Sequence, residues 1–180
     1  ATYIDPRGRV KLINDGNRYF YLRDAENGVL WNVAGYPTNT LLDSYRCTMG
    51  LGYAVYEAQW DEVASRTRVF VNAEDPCEIW TITLKNRSKR PRRIQLFPLV
   101  EWSLEGYVPK SDYFSYLYTE ADAEKSILYA WNTADERLHE RYNGFLAASR
   151  PFQSFDTSLR AVLGTYGSFA RPEALENGHC

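Results

Sequence analysis

Histidine, cysteine and methionine are scarce, with 2 His, 3 Cys and 1 Met in 180 residues. His139 and His179 stand far apart with no neighbouring ligand pattern. A zinc site needs more ligands at tighter spacing, so no metal is expected and both histidines read as surface residues. Cys47, Cys77 and Cys180 show no CxxC spacing, and an odd number leaves one unpaired in any disulfide scheme, which favours a reducing compartment. Charge of one sign is also lacking: 21 basic against 23 acidic residues leave a net charge of -2. No global field then recruits nucleic acid or an anionic membrane, and a neutral or small polar partner fits better. No basic segment leads into an apolar stretch at the N-terminus, and no run of about 18 apolar residues occurs. Neither secretion nor a membrane span is indicated, and a cytoplasmic location is expected. There is no nucleophile elbow, no phosphate-cradling glycine loop with its lysine, no HExxH, no internal repeat and no low-complexity tract.

What is present is aromatic: 15% of residues, including 14 Tyr and 5 Trp. Such residues suit packed sheets and surfaces that stack on sugars. The dominant period is two. Tyr19 to Arg23 and Val29 to Val33 are short aromatic and β-branched runs joined by Asp24-Ala25-Glu26-Asn27-Gly28, whose Asn-Gly supplies the positive φ of a hairpin loop. Gly52 to Trp60 turns at Asp61-Glu62 into Val63 to Val71, a second hairpin. Glu78 to Lys85 alternates, Asn86 to Pro91 is a polar turn, and Arg92 to Leu104 is a long strand in which Pro98 requires an edge or bulge. Gly106-Tyr107-Val108-Pro109 reads as a break, Glu120 to Lys125 as helix-prone, and Ile127 to Trp131 and Gly144 to Ala148 as strands. From Pro151 onward the chain reads mostly as loop, punctuated by Gly164, Gly167 and Pro172. The length favours one domain, and the pattern favours two antiparallel sheets packed as a sandwich.

Residues able to do chemistry each have a plainer use. Lys85, Arg87, Lys89, Arg90, Arg92 and Arg93 would attract phosphates. They span a predicted turn and strand start, where Lys and Arg commonly serve as solvated or edge-protecting residues. Gly50-Leu51-Gly52 reads as a bulge or close backbone approach before a strand. Asp24, Asp43, Glu101 and Asp156 have aromatic or glycine neighbours that could face a groove, but each is more often a turn or edge residue. A complete small hydrolase would need two carboxylates roughly 5 to 9 Å apart in a cleft, which spacing along the chain does not show.

The order YLRDAENGVLWNV, YRCTMGLGYAVYE, TRVFVNAEDPCEIWTITLKNRSKRPRRIQLFPLVEW and FDTSLRAVLGTYGSFARPEALENGHC resembles the N-terminal β-sandwich of glycoside hydrolase family 94. That family comprises cellobiose, cellodextrin, chitobiose and related phosphorylases. The resemblance covers nearly the whole chain, with only the first dozen residues and roughly 108 to 126 uninformative. It implies an all-β, antiparallel β-supersandwich of the galactose-mutarotase-like type. In full-length enzymes this precedes a helical linker and an (α/α)6 barrel, which is absent from residues 1–180.

The resemblance implies an inverting reaction in which inorganic phosphate attacks the anomeric carbon while a barrel aspartate protonates the glycosidic oxygen. No catalytic residue is expected in this chain, and no cofactor beyond phosphate as co-substrate. It also implies that the sandwich builds a homodimer interface and lends loop residues to the acceptor-sugar subsite, often the neighbouring subunit's. The partner would be a β-linked glucose-type disaccharide or oligosaccharide. One segment in that role is Asp156 to Gly164, with Asp156, Ser158, Leu159 and Arg160. Related enzymes tend to carry arginine where this chain has Leu159, with Arg160 one place later; leucine offers no donors to sugar hydroxyls, which leaves acceptor preference open. The other segment runs from Tyr45 to Tyr53, with Arg46 and Tyr53 as the groove residues, Arg46 reading equally as an edge-strand residue. The resemblance also implies that the chain begins and stops inside the family's sandwich. Exposed sheet edges should then leave it a fragment of a larger phosphorylase or paired with a second chain. The alternative is a free-standing carbohydrate-binding or assembly module.

Overall fold

The computed structural model describes residues 2–4, 10–12, 18–102, 104, 117–132 and 143–180. The expected break at Gly106 to Pro109 and His139 lie outside the described residues. Twelve strands precede two short helices among them. The strands are β1 Thr2–Ile4, β2 Val10–Leu12, β3 Arg18–Asp24, β4 Leu30–Asn32, β5 Ser44–Gly50, β6 Tyr53–Trp60, β7 Val63–Val71, β8 Glu78–Asn86, β9 Ile94–Val100, β10 Leu117–Asp122, β11 Ile127–Asn132 and β12 Asn143–Ala147. The helices are α1 Leu159–Leu163 and α2 Glu173–Asn177. The chain divides into two compact units, Ala1–Arg18 with Val100–Leu159 and Tyr19–Leu99 with Arg160–Cys180.

In the first unit β1 and β2 pair antiparallel, and β10, β11 and β12 form an antiparallel meander. The helix expected at Glu120 to Lys125 is not formed. Leu117–Asp122 pairs residue by residue with Ile127–Asn132. The intervening turn is closed by the Asp122 carboxylate, which accepts from the Lys125 backbone N–H at 3.0 Å and from its Nζ at 2.7 Å. Helix propensity of a few Ala, Glu and Lys residues amounts to tenths of a kcal/mol each, and a hairpin with two satisfied strands overrides it.

The second unit holds the sandwich. One sheet has the order β5-β6-β7-β8, the other β4-β3-β9. Among the described residues β9 is an edge strand, which is where Pro98 is tolerated. Gly50-Leu51-Gly52 forms the β5–β6 hairpin turn rather than a bulge, so Tyr45 to Tyr53 is a strand and turn. Alternation puts Phe20, Leu22, Trp31 and Val33 on one face of the smaller sheet, packed with Val63, Trp60, Trp80 and Ile82 of the larger. Phe20 stacks on Trp80 at 4.2 Å between ring centroids, and Trp31 lies 4.9 Å from Trp60.

The opposite face of the smaller sheet is buried as well. Tyr21, Leu30 and Leu99 pack with Val162 of α1 and Leu175 of α2. The region after Pro151, expected to be mostly loop, therefore contains two one-turn helices that cover this second face. Tyr21 donates its hydroxyl to the Phe169 carbonyl at 2.8 Å. Arg23 donates to Gln95 Oε1 at 2.8 Å and to the Glu176 carbonyl at 3.0 Å, while Gln95 Nε2 donates to the Gly178 carbonyl at 2.9 Å. Gly178, at φ 82°, ends α2 in the left-handed region, and a Cβ there would press on Arg23.

Candidate functional site

Arg92 is buried, its side chain 1% exposed, against Asp24 at 0%. Its Nε donates to Asp24 Oδ2 at 3.1 Å, its Nη2 to the same oxygen, and its Nη1 to the Asp61 carbonyl at 2.8 Å. Arg92 Nη1 also lies 3.0 Å from Asp61 Oδ2, and Arg90 pairs with Asp61 at 3.3 Å. Arg87 donates to Gln59 Oε1 at 2.8 Å. Asp61 and Glu62 both adopt positive φ, 41° and 65°. The arginines hold this left-handed turn in place by its carboxylate and carbonyls, a structural use of the basic cluster.

Burial alone would raise the Asp24 pKa, but the Glu26 N–H and the Arg92 guanidinium outweigh it and hold the carboxyl below its ordinary value. Burial would likewise lower Arg92, and its bonds to Asp24 and Asp61 reverse this, keeping it charged. The two carboxylates brought together here share one arginine, and the lowered pKa of Asp24 keeps that carboxylate from serving as a proton donor. Asp43 is exposed at the start of β5, with its N–H on the Gln59 carbonyl at 2.9 Å. Glu101 is half-buried and burial raises its pKa. Among the described residues no group of three or more His, Cys, Asp or Glu could hold a metal ion. His179 is exposed and its N–H caps α2 on the Ala174 carbonyl at 3.2 Å. All three cysteines are free thiols.

The sugar-facing candidates fall in two places. Arg46 sits opposite Glu57, and Tyr53 opposite Gly50 and Phe70, so both lie on the outer face of the four-stranded sheet. They are two cross-strand rows apart, about 13 Å along the sheet. The Tyr53 ring covers Gly50, where a Cβ would collide with it, and Arg68 sits 5.5 Å from its centroid. Much of the ring is thus engaged by its own hairpin and the adjoining strand. Asp156 is half-buried and its Oδ1 accepts from the Ser158 N–H at 2.8 Å, a local turn leading into α1. Leu159 and Arg160 open that helix with exposed side chains, and the Arg160 carbonyl accepts from Gly164 N–H at 2.8 Å. Val162, two residues on, anchors the helix in the core.

Reading along the chain did not single out the Arg23 and Gln95 clasp, nor the ring cluster around Tyr36. Tyr36 is 74% exposed and meets Tyr19 edge-on at 6.2 Å, while Tyr19 lies 5.4 Å from Phe169. Their partners lie far away in sequence, and no local spacing marks them. No helix among the described residues is long and apolar enough to cross a membrane.

These features define an all-β sandwich whose described acidic residues brace turns and an arginine. The family profile of the glycosyl hydrolase 94 supersandwich domain matches residues 9–180, and the chain belongs to that family. The chain is 50% identical to solabiose phosphorylase of Paenibacillus borealis over 182 residues, covering 100% of this chain and 24% of that enzyme. It is 29% identical to 3-O-beta-D-glucopyranosyl-beta-D-glucuronide phosphorylase of the same organism, covering 94% of the chain and 22% of the relative. It is also 29% identical to N,N'-diacetylchitobiose phosphorylase of Vibrio proteolyticus, covering 90% and 21%. The chain thus spans about a quarter of the length of these curated relatives.

Proposed function

We propose that these 180 residues are the non-catalytic sandwich domain, or part of one, of an inverting glycoside phosphorylase acting on a β-linked disaccharide or oligosaccharide. The observation that carries this is the 50% identity along the whole chain to a phosphorylase four times its length. The three relatives named above all carry phosphorylase names, and one spells out β-linked sugars. Inorganic phosphate is the co-substrate in this reading, and no other cofactor is invoked. The acid that protonates the glycosidic oxygen belongs to an (α/α)6 barrel outside this chain. The sandwich supplies homodimer contacts and part of the acceptor-sugar subsite, in a cytoplasmic enzyme.

In that subsite, Arg160 and Ser158 offer donors and Asp156 an acceptor to sugar hydroxyls, while Leu159 adds an apolar contact. Arg46 and Tyr53 form a second acceptor-facing patch. The test is incubation of the intact protein with inorganic phosphate and a panel of β-linked disaccharides, following sugar 1-phosphate. Phosphate-dependent release is expected. Leu159→Arg should change the ranking of acceptors in the reverse, synthetic direction with the donor sugar unaffected. Hydrolysis without phosphate, or no turnover of any β-disaccharide, would overturn the reading.

A further inference from the structure

β5 is exposed along its whole length, all seven residues from Ser44 to Gly50. It is an edge strand, paired only with β6 among the described residues. Edges of this length are ordinarily protected by lysine, proline, bulges or a covering segment. β5 has no lysine or proline and a single charge, Arg46, and pairs without interruption from Ser44↔Gln59 to Gly50↔Tyr53. On the face that turns toward the core elsewhere, its row is Tyr45, Cys47 and Met49. Tyr45 is 47% exposed and Met49 69%.

We infer that β5 pairs antiparallel with β5 of a second copy of this chain, on a two-fold axis through Cys47. The inference deepens the dimer contact proposed above and rests on it. A two-fold perpendicular to a continuous sheet keeps faces together, so residues of the same parity must meet. An axis at Arg46 would set two guanidiniums opposite each other, and an axis at Thr48 would shorten the overlap. The axis at Cys47 uses the whole strand and places Ser44 opposite Gly50, Tyr45 opposite Met49 and Arg46 opposite Thr48. No like charges face directly, and each Arg46 keeps Glu57 beside it in its own sheet. The exposed Tyr45 and Met49 gain each other as an aromatic and thioether contact. The outer N–H and C=O groups of β5, without a strand partner among the described residues, are satisfied by one continuous eight-stranded sheet.

The register makes the test direct. Directly opposite residues have Cα atoms about 4.5 to 5.5 Å apart, inside the range of about 4.4 to 6.8 Å that a disulfide spans. Cys47 is an exposed free thiol. The intact protein is sized by light scattering and then treated with diamide, which takes up the two electrons and two protons released as two thiols join. The expected result is a dimer that becomes covalent through a Cys47–Cys47 peptide seen by mass spectrometry. Cys47→Ser should abolish the link but leave the dimer, and Cys47→Arg should weaken the dimer roughly tenfold or more. A dimer that never yields the Cys47 link overturns this register while sparing the dimer reading. A monomer overturns both.

Discussion

At the scale of single residues, the Asp24–Arg92 pair concentrates the largest energetic stake. Removing one partner leaves the other charge buried and unmatched, at a cost of about 3 to 5 kcal/mol. Asp24→Asn should lower unfolding free energy in urea by that order. The pH dependence follows from the depressed Asp24 pKa. The native state holds its proton less tightly than the unfolded chain does. Its stabilisation is therefore complete above the ordinary carboxylate pKa of about 3.9 and is lost as pH falls through the lower native value. Unfolding measured between neutral pH and pH 3 should show a steep acid loss in the natural protein and a shallower one in Asp24→Asn. Neither role was legible locally: Asp24 read as a hairpin turn residue, and Arg92 as one of six cations. Their meeting depends on a sequence separation of 68 residues.

At the scale of elements, the hairpins were legible where turn chemistry and alternation agreed. Asp24 to Gly28 and Asp61-Glu62 both turn the chain as their residues indicate. Glu62 nonetheless sits at φ 65° without being glycine. Glu62→Gly, which completes an Asp-Gly turn, should raise stability by about 0.5 to 1 kcal/mol, read as a higher urea midpoint at unchanged slope. The covering segment was the larger miss, although a signal existed. Tyr19-Phe20-Tyr21-Leu22 is apolar at every position, and strands buried on both faces read that way. Alternation with a solvent face would have placed polar residues at 19 and 21. The helix-prone reading of Glu120 to Lys125 failed for the reverse reason: composition was weighed over six residues, whereas pairing with Ile127–Asn132 decided the outcome.

At the scale of the whole molecule, the second face of β3 is closed by residues from the far end of the chain. Leu175 is 1% exposed within that cluster. Leu175→Ala should cost about 2 to 5 kcal/mol, measured by urea unfolding, and should speed amide exchange at Tyr21 and Leu22 more than at β6 and β7. The outer sheet surface carrying Arg46 and Tyr53 should keep its protection.

The hydrogen bond from Tyr21 to the Phe169 carbonyl joins residues 148 positions apart. During synthesis at about 5 to 20 residues per second, the smaller sheet would wait roughly 7 to 30 seconds for its cover. Tyr21 and Leu30 would be open to water and to neighbouring nascent chains for about that interval, and Leu99 for roughly half of it. Chaperones that bind apolar strands as they emerge should therefore hold this segment until residue 169 is made, which ribosome-bound chains stalled before and after that point would report.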